Sequence, residues 1–371
     1  MKIAVMGTRG IPARYGGFEN FAEELSVRLT QRGHEVTVYC HSRHCPESDR
    51  RYRGVRRVVM PEPARPLPKA LAYGVLSMLH ALFCRYDAVL ICRGSNAALA
   101  WLPRLAWQKV AVSVDGVDPE SASGNSLQQF SRKMANRFAS RFANKLITDS
   151  EAMADYFRRS YGVQSDIIPY GSRRVSLPPS TALGTWSLQS RQYVLYVGTL
   201  LPQNHAHTVI AAYRKSLVDV PLLLIGDAQQ DAKYMGYIRE QVATVGPMAG
   251  SRVILAGTVY GRQLEELMCH TAAFIQSTET GGTHPALLQA MGAGSLVIAN
   301  DTAAHRQTVG EGGLYYRFNS VTDLAQKIRD AVHRADEFQS IRSKAQQRIE
   351  SSCSWDIVAD RYETLFQAMA S

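Results

Sequence analysis

The sequence predicts an α/β chain built as two doubly wound parallel-sheet domains, and three observations carry that prediction. At 371 residues the chain exceeds what one hydrophobic core usually supports. Short apolar runs of strand length alternate along it with segments of helical period, as in βαβ units. The alternation also begins twice, at Lys2 and at Tyr193, on either side of a Ser-, Pro- and Thr-rich stretch without periodicity. The expected parts are a first domain over 1–172, a linker over 173–192, a second domain over 193–354, and a tail over 355–371 whose helix, Ile357–Met369, crosses back to the first domain.

Lys2–Met6 reads as a strand, Gly7-Thr8-Arg9-Gly10 with Gly16-Gly17 as a glycine-rich loop, and Phe18–Arg32 as a helix with Phe21, Leu25 and Leu29 on one face. Glu35–Cys40 closes the unit as a second strand. The loop is not GxGxxG and no acidic residue ends that strand, which disfavours a dinucleotide site. Arg50, Arg51, Arg53, Arg56 and Arg57 read as a solvated face around the strand Val55–Met60. The apolar run Ala70–Cys84 is broken by Gly74, Ser77 and His80 and falls short of the ~20 residues a membrane span needs, so a buried helix is expected. Further strands are Ala88–Cys92, Val110–Val114 and Leu146–Thr148, the last leading to Ser150 as a helix cap. Asp115 follows the second of these; residues just past parallel strands face the ligand crevice, while an aspartate before glycine is equally a turn.

Between Phe130 and Leu146 two stripes recur every fourth residue: Phe130, Met134, Phe138, Phe142, Leu146, and Lys133, Arg137, Arg141, Lys145. Such a helix either lies on an acidic bilayer or, as helices more commonly do, buries its aromatic face in the domain. In the second domain Tyr193–Val197 precedes Gly198-Thr199, Pro221–Ile225 precedes Gly226-Asp227, and Val253–Ala256, Ala272–Ile275 and Leu296–Ala299 complete five strands. The stretch Ser277–Gly294, STETGGTHPALLQAMGAG, runs from strand end through a glycine turn into a helix, with Thr283 or His284 capping and Pro285 in the first turn. It is either a diphosphate site, where free N–H groups and the helix dipole meet the anion, or an ordinary strand-to-helix joint.

Residues 1–172 carry 24 Lys and Arg against 15 Asp and Glu, a balance of +9, while 173–371 carry 18 against 17. The basic half suggests an anionic partner: a membrane surface, a lipid-linked phosphate or nucleic acid. Six cysteines without a CxxC pair fit a reduced, cytoplasmic protein better than a disulfide or zinc framework. The opening MKIAVMG runs directly into a strand, so no secretory signal is expected.

GTRGIPARYGGFE, VSVDG at Val112–Gly116, ITDSE at Ile147–Glu151, IPYG at Ile168–Gly171, YVGTLLPQN at Tyr193–Asn204, LLLIGD and GGTHPALLQAMGAG together resemble a glycosyltransferase of family four (glycosyl transferases group 1), closest to bacterial capsule and O-antigen rhamnosyltransferases. The resemblance covers nearly the whole chain. It implies the GT-B fold, two Rossmann-like domains facing across a cleft, with the sugar nucleotide held mainly by the second and the acceptor by the first. It further implies retaining, metal-independent transfer to a lipid-linked saccharide, no cofactor beyond the nucleotide-sugar donor substrate, and peripheral attachment to the inner face of the cell membrane.

The donor would meet Gly16, Gly17, Gly198, Thr199, Asn204, Gly226, Gly282, Thr283, His284 and Gln289, and the acceptor side Arg9, Arg14 and Tyr15, with Asp115 orienting a hydroxyl. The wider family's phosphate-gripping arginine and lysine fall on Thr199 and on the neighbourhood of Asn204 and His205, and its two glutamates on Gly281 and Gln289. Gln289 bonds a hydroxyl without charge assistance, and a deoxyribose donor loses least by that, which favours dTDP-rhamnose over a UDP- or GDP-sugar. The missing cations also leave open a catalytically impaired binding partner of a polysaccharide assembly complex. Nucleic acid ranks below both, since no aromatic stacking positions interleave the basic residues.

Overall fold

The computed structural model describes residues 1–13, 16–45, 50–61, 69–114, 126–227, 231–243, 252–279 and 283–370. The chain divides into two compact units, Met1–Tyr170 with Trp355–Ser371, and Gly171–Ser354.

In the first unit the strands are β1 (Lys2–Met6), β2 (Glu35–His41), β3 (Arg51–Tyr52), β4 (Val55–Met60), β5 (Ala88–Cys92), β6 (Lys109–Val114), β7 (Lys145–Thr148) and β8 (Asp166–Ile167). They lie in the order β3-β4-β2-β1-β5-β6-β7-β8, all parallel except β3, which pairs antiparallel with β4. β5 is buried along its whole length, the continuous apolar run of a strand covered on both faces. The helices are α1 (Gly17–Gln31), α2 (Lys69–Leu82), α3 (Trp101–Leu105), α4 (Ser126–Phe142) and α5 (Glu151–Tyr161). Ser150 caps α5 through Met153 N, as its position before the helix predicts.

Three readings of this half change. Arg57 is not solvated: it is buried between β2 and β3 and donates to Ile11 O at 3.2 Å, closing a loop carbonyl that water cannot reach. α4 ends at Phe142, so Lys145 and Leu146 belong to β7, and Lys145 pairs with Asp166 at 3.3 Å. Its buried face is Ala135 and Ala139, small enough for close approach to the 3₁₀ turn Gly94–Leu99, while Phe130 stays exposed. Finally, α2 is only half buried. Tyr73, Ser77, Met78 and Ala81 face the core, and Leu76 and Leu79 lie in solvent.

A C-terminal helix, Trp355–Ala370, completes the first unit against α1. Its buried residues, Trp355, Val358, Ala359, Tyr362, Leu365, Phe366 and Met369, follow the 3.6-residue period, and Tyr362 meets Phe21 with ring centroids 5.3 Å apart. Ion pairs fix its register: Arg32 with Asp360 at 2.6 Å and Glu363 at 2.8 Å, and His34 Nε2 with Glu363 at 2.8 Å. Phe366 is fully buried. Phe366→Ala is therefore expected to cost about 3–5 kcal/mol by denaturant unfolding of the first unit. A change under ~1 kcal/mol would show that the helix is not part of this core.

The second unit holds β9 (Val194–Val197), β10 (Leu222–Ile225), β11 (Val253–Gly257), β12 (Ala273–Gln276), β13 (Val297–Asn300) and β14 (Gly313–Tyr316), all parallel, in the order β11-β10-β9-β12-β13-β14. β14 adds a sixth strand to the five expected, because its GGLYY run opens on glycines that read as a turn. The helices are α6 (Thr181–Thr185), α7 (Ala206–Ser216), α8 (Ala232–Ala243), α9 (Gly261–His270), α10 (Pro285–Gly292), α11 (Ala303–Val309), α12 (Val321–His333) and α13 (Gln339–Ser352). Residues 173–192 are stitched into this unit rather than left as a linker. Val175 N donates to Gly292 O at 3.0 Å, Ser180 N to the buried Glu266 carboxylate at 2.7 Å, and α6 follows. Backbone and carboxylate bonds need no periodic pattern, so composition alone read the stretch as free.

Candidate functional site

Each sheet reverses its winding once, and the carboxyl ends of the two strands flanking the reversal form the crevice where open α/β sheets take ligands. In the second unit those strands are β9 and β12; in the first they are β1 and β5.

At the second unit's crevice, Gly198 and Thr199 follow β9, and Gly226 follows β10. Gly226 has φ 147°, and a Cβ there would lie 1.9 Å from the Gly198 carbonyl oxygen, so glycine is required for the two strand ends to meet. Asn204 Nδ2 donates to Thr199 O at 2.7 Å, and Ser277 Oγ donates to Asn204 O at 2.7 Å, which ties the turn after β9 to the end of β12. His205 stands at the entrance to α7 with φ 55°, and its Nε2 lies 2.8 Å from Glu279 Oε1, an oxygen that also accepts from Asn319 Nδ2. The place that the resemblance gives to a phosphate-gripping cation thus holds a histidine already engaged by a carboxylate.

Beyond β12 a second network surrounds Thr278. Gln276 Nε2 donates to its hydroxyl at 2.8 Å, and the Nε2 atoms of His284 and His305 each lie 3.1 Å from it. His305 Nδ1 sits 2.8 Å from Asn300 O, which can only accept, so Nδ1 carries that ring's proton and Nε2 receives the Thr278 hydroxyl. Thr278 has one proton, so His284 must donate from Nε2, which leaves its Nδ1 as a bare acceptor. Burial and the adjacent His305 push the His284 pKa down to about 3, and burial lowers that of His305. Both rings are neutral at pH 7.

His284 is the N-cap residue of α10, Pro285 is in its first turn, and the His284 side chain makes no cap hydrogen bond. The first-turn N–H groups are therefore not capped by this side chain, and the dipole there favours an anion. Thr283 is buried beside them, whereas the Gln289 amide makes no hydrogen bond among the described residues.

In the first unit the loop after β1 is held at many points. Arg9 N donates to Glu19 Oε1 at 3.1 Å, Ala13 N to Glu23 Oε2 at 2.6 Å, and Tyr73 Oη to Thr8 O at 3.1 Å. Gly16 is the N-cap of α1 with φ 93°, and a Cβ there would stand 2.2 Å from Glu19 Oε2. Gly17 opens the helix. After β5, Arg93 holds φ 70°, lies over the Phe18 ring at 5.1 Å, and brings its guanidinium to 3.4 Å from Glu19 Oε1. Glu19 is buried, and its Oε2 has no partner among the described residues. A half-exposed guanidinium beside a carboxylate with a free lone pair suits a ligand carrying both anionic and hydroxyl groups.

Of the residues singled out from sequence, Gly198, Thr199, Asn204, Gly226, Thr283 and His284 collect at the second unit's ligand edge, with Gln289 further along α10, and Arg9, Gly16 and Gly17 at the first unit's. Asp115, Gly282, Arg14 and Tyr15 lie outside the described residues. Sequence reasoning passed over Glu19, Arg93, Thr278, Glu279 and His305. The rule that selected Asp115, position just past a parallel strand, selects Arg93, Thr278 and Glu279 equally well.

Residues 16–171 match the family model of the glycosyl transferase 4-like domain, and residues 191–334 match that of glycosyl transferases group 1. The chain is a glycosyltransferase of the GT-B fold. Among solved structures, sucrose-phosphate synthase from Thermosynechococcus elongatus is 18% identical with a TM-score of 0.83, covering 99% of this chain and 98% of that one. Anabaena HepE in complex with UDP-glucose is 17% identical, TM-score 0.78, covering 98% of each chain. A glycosyltransferase from Rickettsia africae is 14% identical, TM-score 0.73, covering 99% and 98%. No curated protein matches the sequence.

The two histidines make stability depend on pH. Their folded pKa values lie below the ordinary 6.5, so the unfolded chain takes up protons first. Their contribution is complete above pH 6.5 and is lost as pH falls from there, for His284 down to about pH 3 at up to about 1.4 kcal/mol per pH unit, with His305 adding a loss of the same sign. His284→Gln, which retains a donor towards Thr278, should lose less stability than the wild type between pH 7 and pH 5. Equal losses in denaturant titrations would contradict the assignment.

Proposed function

We propose that the chain transfers a hexose, rhamnose from dTDP-rhamnose, to a lipid-linked saccharide during surface polysaccharide assembly at the inner membrane face. The observation that carries this reading is the lack of an unpaired cation among the described residues at the second unit's donor edge, where neutral His284 opens α10 without capping it through its own side chain. The diphosphate would rest on the N–H groups at the start of α10, including Thr283 and His284 and the neighbouring Gly282. Because His284 stays neutral, backbone dipoles rather than an imidazolium would face the phosphate charge.

The reaction follows the retaining course that the resemblance implies. The bond from the anomeric carbon to the leaving phosphate oxygen breaks as the acceptor oxygen bonds on the same face, and the departing phosphate takes the acceptor's proton. Glu19 and Arg93 would hold acceptor hydroxyls or a linked phosphate, and Asp115 would orient the reacting hydroxyl.

A second reading, the same chemistry with a UDP-sugar, draws on the likeness to HepE bound to UDP-glucose. Gln289 separates the two. dTDP is expected to bind at least as tightly as UDP, and Gln289→Glu should shift the preference towards UDP by about tenfold through a charge-assisted bond to the 2′-hydroxyl, an increment of ~1.4 kcal/mol. Calorimetry with both nucleotides on both proteins decides this, and a wild-type preference for UDP would overturn the rhamnose assignment. Mass spectrometry of products from a sugar-nucleotide panel with a polyprenyl-diphosphate saccharide tests the reaction itself. Absence of any transfer would favour the impaired binding partner.

A further inference from the structure

The largest exposed apolar groups of the first unit gather at the edge of the sheet where β5, β6 and β7 begin, the edge opposite the ligand crevice. Trp107 is 93% exposed, Phe83 87% and Leu105 66%, with Leu79 and Trp101 beside them on α2 and α3. They belong to one surface. Gln108 Nε2 donates to Ala81 O at 2.6 Å, joining the turn after α3 to the end of α2, and Arg104 Nη1 donates to Phe142 O at 3.0 Å, joining α3 to the end of α4.

Trp107 holds φ 60°, a backbone region costly for a bulky side chain, and it gains no packing in return. α2 presents Leu76 and Leu79 on the face turned from the core, and Phe83 follows in the turn that ends the helix, so apolar groups lie on its outer as well as its inner face, as for a helix with a second apolar surrounding. No helix among the described residues is long and apolar enough to cross a membrane. At 14 residues α2 measures ~21 Å against the ~30 Å of a hydrocarbon core. Around the aromatic groups lie exposed Arg85, Arg104, Lys109 and Arg141, with Asp87 the exposed acid among them, its carboxylate accepting from Lys2 N at 2.7 Å.

We propose that this surface is the protein's membrane-docking face, with Phe83, Leu105 and Trp107 inserted shallowly into an anionic bilayer and the four basic residues at its headgroups. Exposed aromatic and leucine side chains ringed by cations match the layering of a bilayer, with an apolar interior beneath an anionic rim. The surface lies beyond the basic stripe of α4 and meets it only at Arg141. The inference deepens the reading of a lipid-linked acceptor and rests on it for its purpose, though not for its geometry. Docking through this edge would raise the ligand edge above the membrane by at least the length of a five-residue strand, ~17 Å.

The test is co-sedimentation of the full chain with phosphatidylglycerol–phosphatidylcholine vesicles, with pure phosphatidylcholine as control, alongside sedimentation velocity without lipid. The wild type should bind the anionic vesicles, and binding should weaken as salt rises from 50 to 500 mM. The combined Phe83→Ser, Leu105→Ser and Trp107→Asn substitutions should lower binding more than tenfold while leaving dTDP affinity unchanged. Asparagine suits the left-handed backbone at 107, so loss of folding is not expected. Equal vesicle binding by the variant, or a wild-type dimer that the variant converts to monomer without altering vesicle binding, would overturn the proposal. Transfer to a lipid-linked acceptor in detergent by a wild type that ignores vesicles would overturn it and leave the acceptor reading intact. Surface-dependent vesicle binding with transfer only to soluble saccharides would do the reverse.

Discussion

An all-parallel core brings the carboxyl ends of its strands to one edge, and each connection onward enters a helix whose first N–H groups have no partner within it. In the second unit the sheet winds outwards from β9 and β12 in opposite directions, and the turns that follow these two strands meet through Ser277 with Asn204 and Glu279 with His205. The start of α10 opens there on His284-Pro285, and the His284 side chain does not cap it. The arrangement around Thr278 follows from this placement. A proton-ordered set of neutral groups holds His284 against the helix start, and burial keeps its imidazole from competing with the backbone for an anion.

The first unit builds its own crevice differently. Its glycine loop is held by Glu19 and Glu23 of α1 and Tyr73 of α2, Arg93 in turn pairs with Glu19, and the close approach of Gly16 to Glu19 Oε2 leaves no room for a larger residue. A buried carboxylate with one oxygen unpartnered among the described residues is costly unless a ligand or another group supplies a donor. We take that cost, with the backbone strain at Arg93, as support for a ligand-binding role.

Much of this was legible from sequence. The two α/β halves, the return of the C-terminal helix and the helix start at Pro285 all rest on local signals: apolar period, proline and glycine placement, and doubled alternation. What stayed hidden depended on tertiary contact. Arg57 read as one charge of a run until Ile11 O was seen beside it. Residues 173–192 read as free because Glu266 and Gly292, which hold them, lie about a hundred residues away. At the site, a departure from the family pattern at Thr199 and Asn204 was readable, but not the engagement of His205 by Glu279, since pairing across separate loops leaves no spacing signal.

The central claim is that the donor's phosphates bind at the first turn of α10. Amide hydrogen exchange, followed in peptides covering residues 278–288 with dTDP and with thymidine at equal occupancy, tests it most directly. The account predicts that dTDP slows exchange of the amides at Thr283, His284, Ala286 and Leu287, while thymidine leaves them unchanged. Equal protection by both ligands, or protection by dTDP confined to other segments, would contradict it.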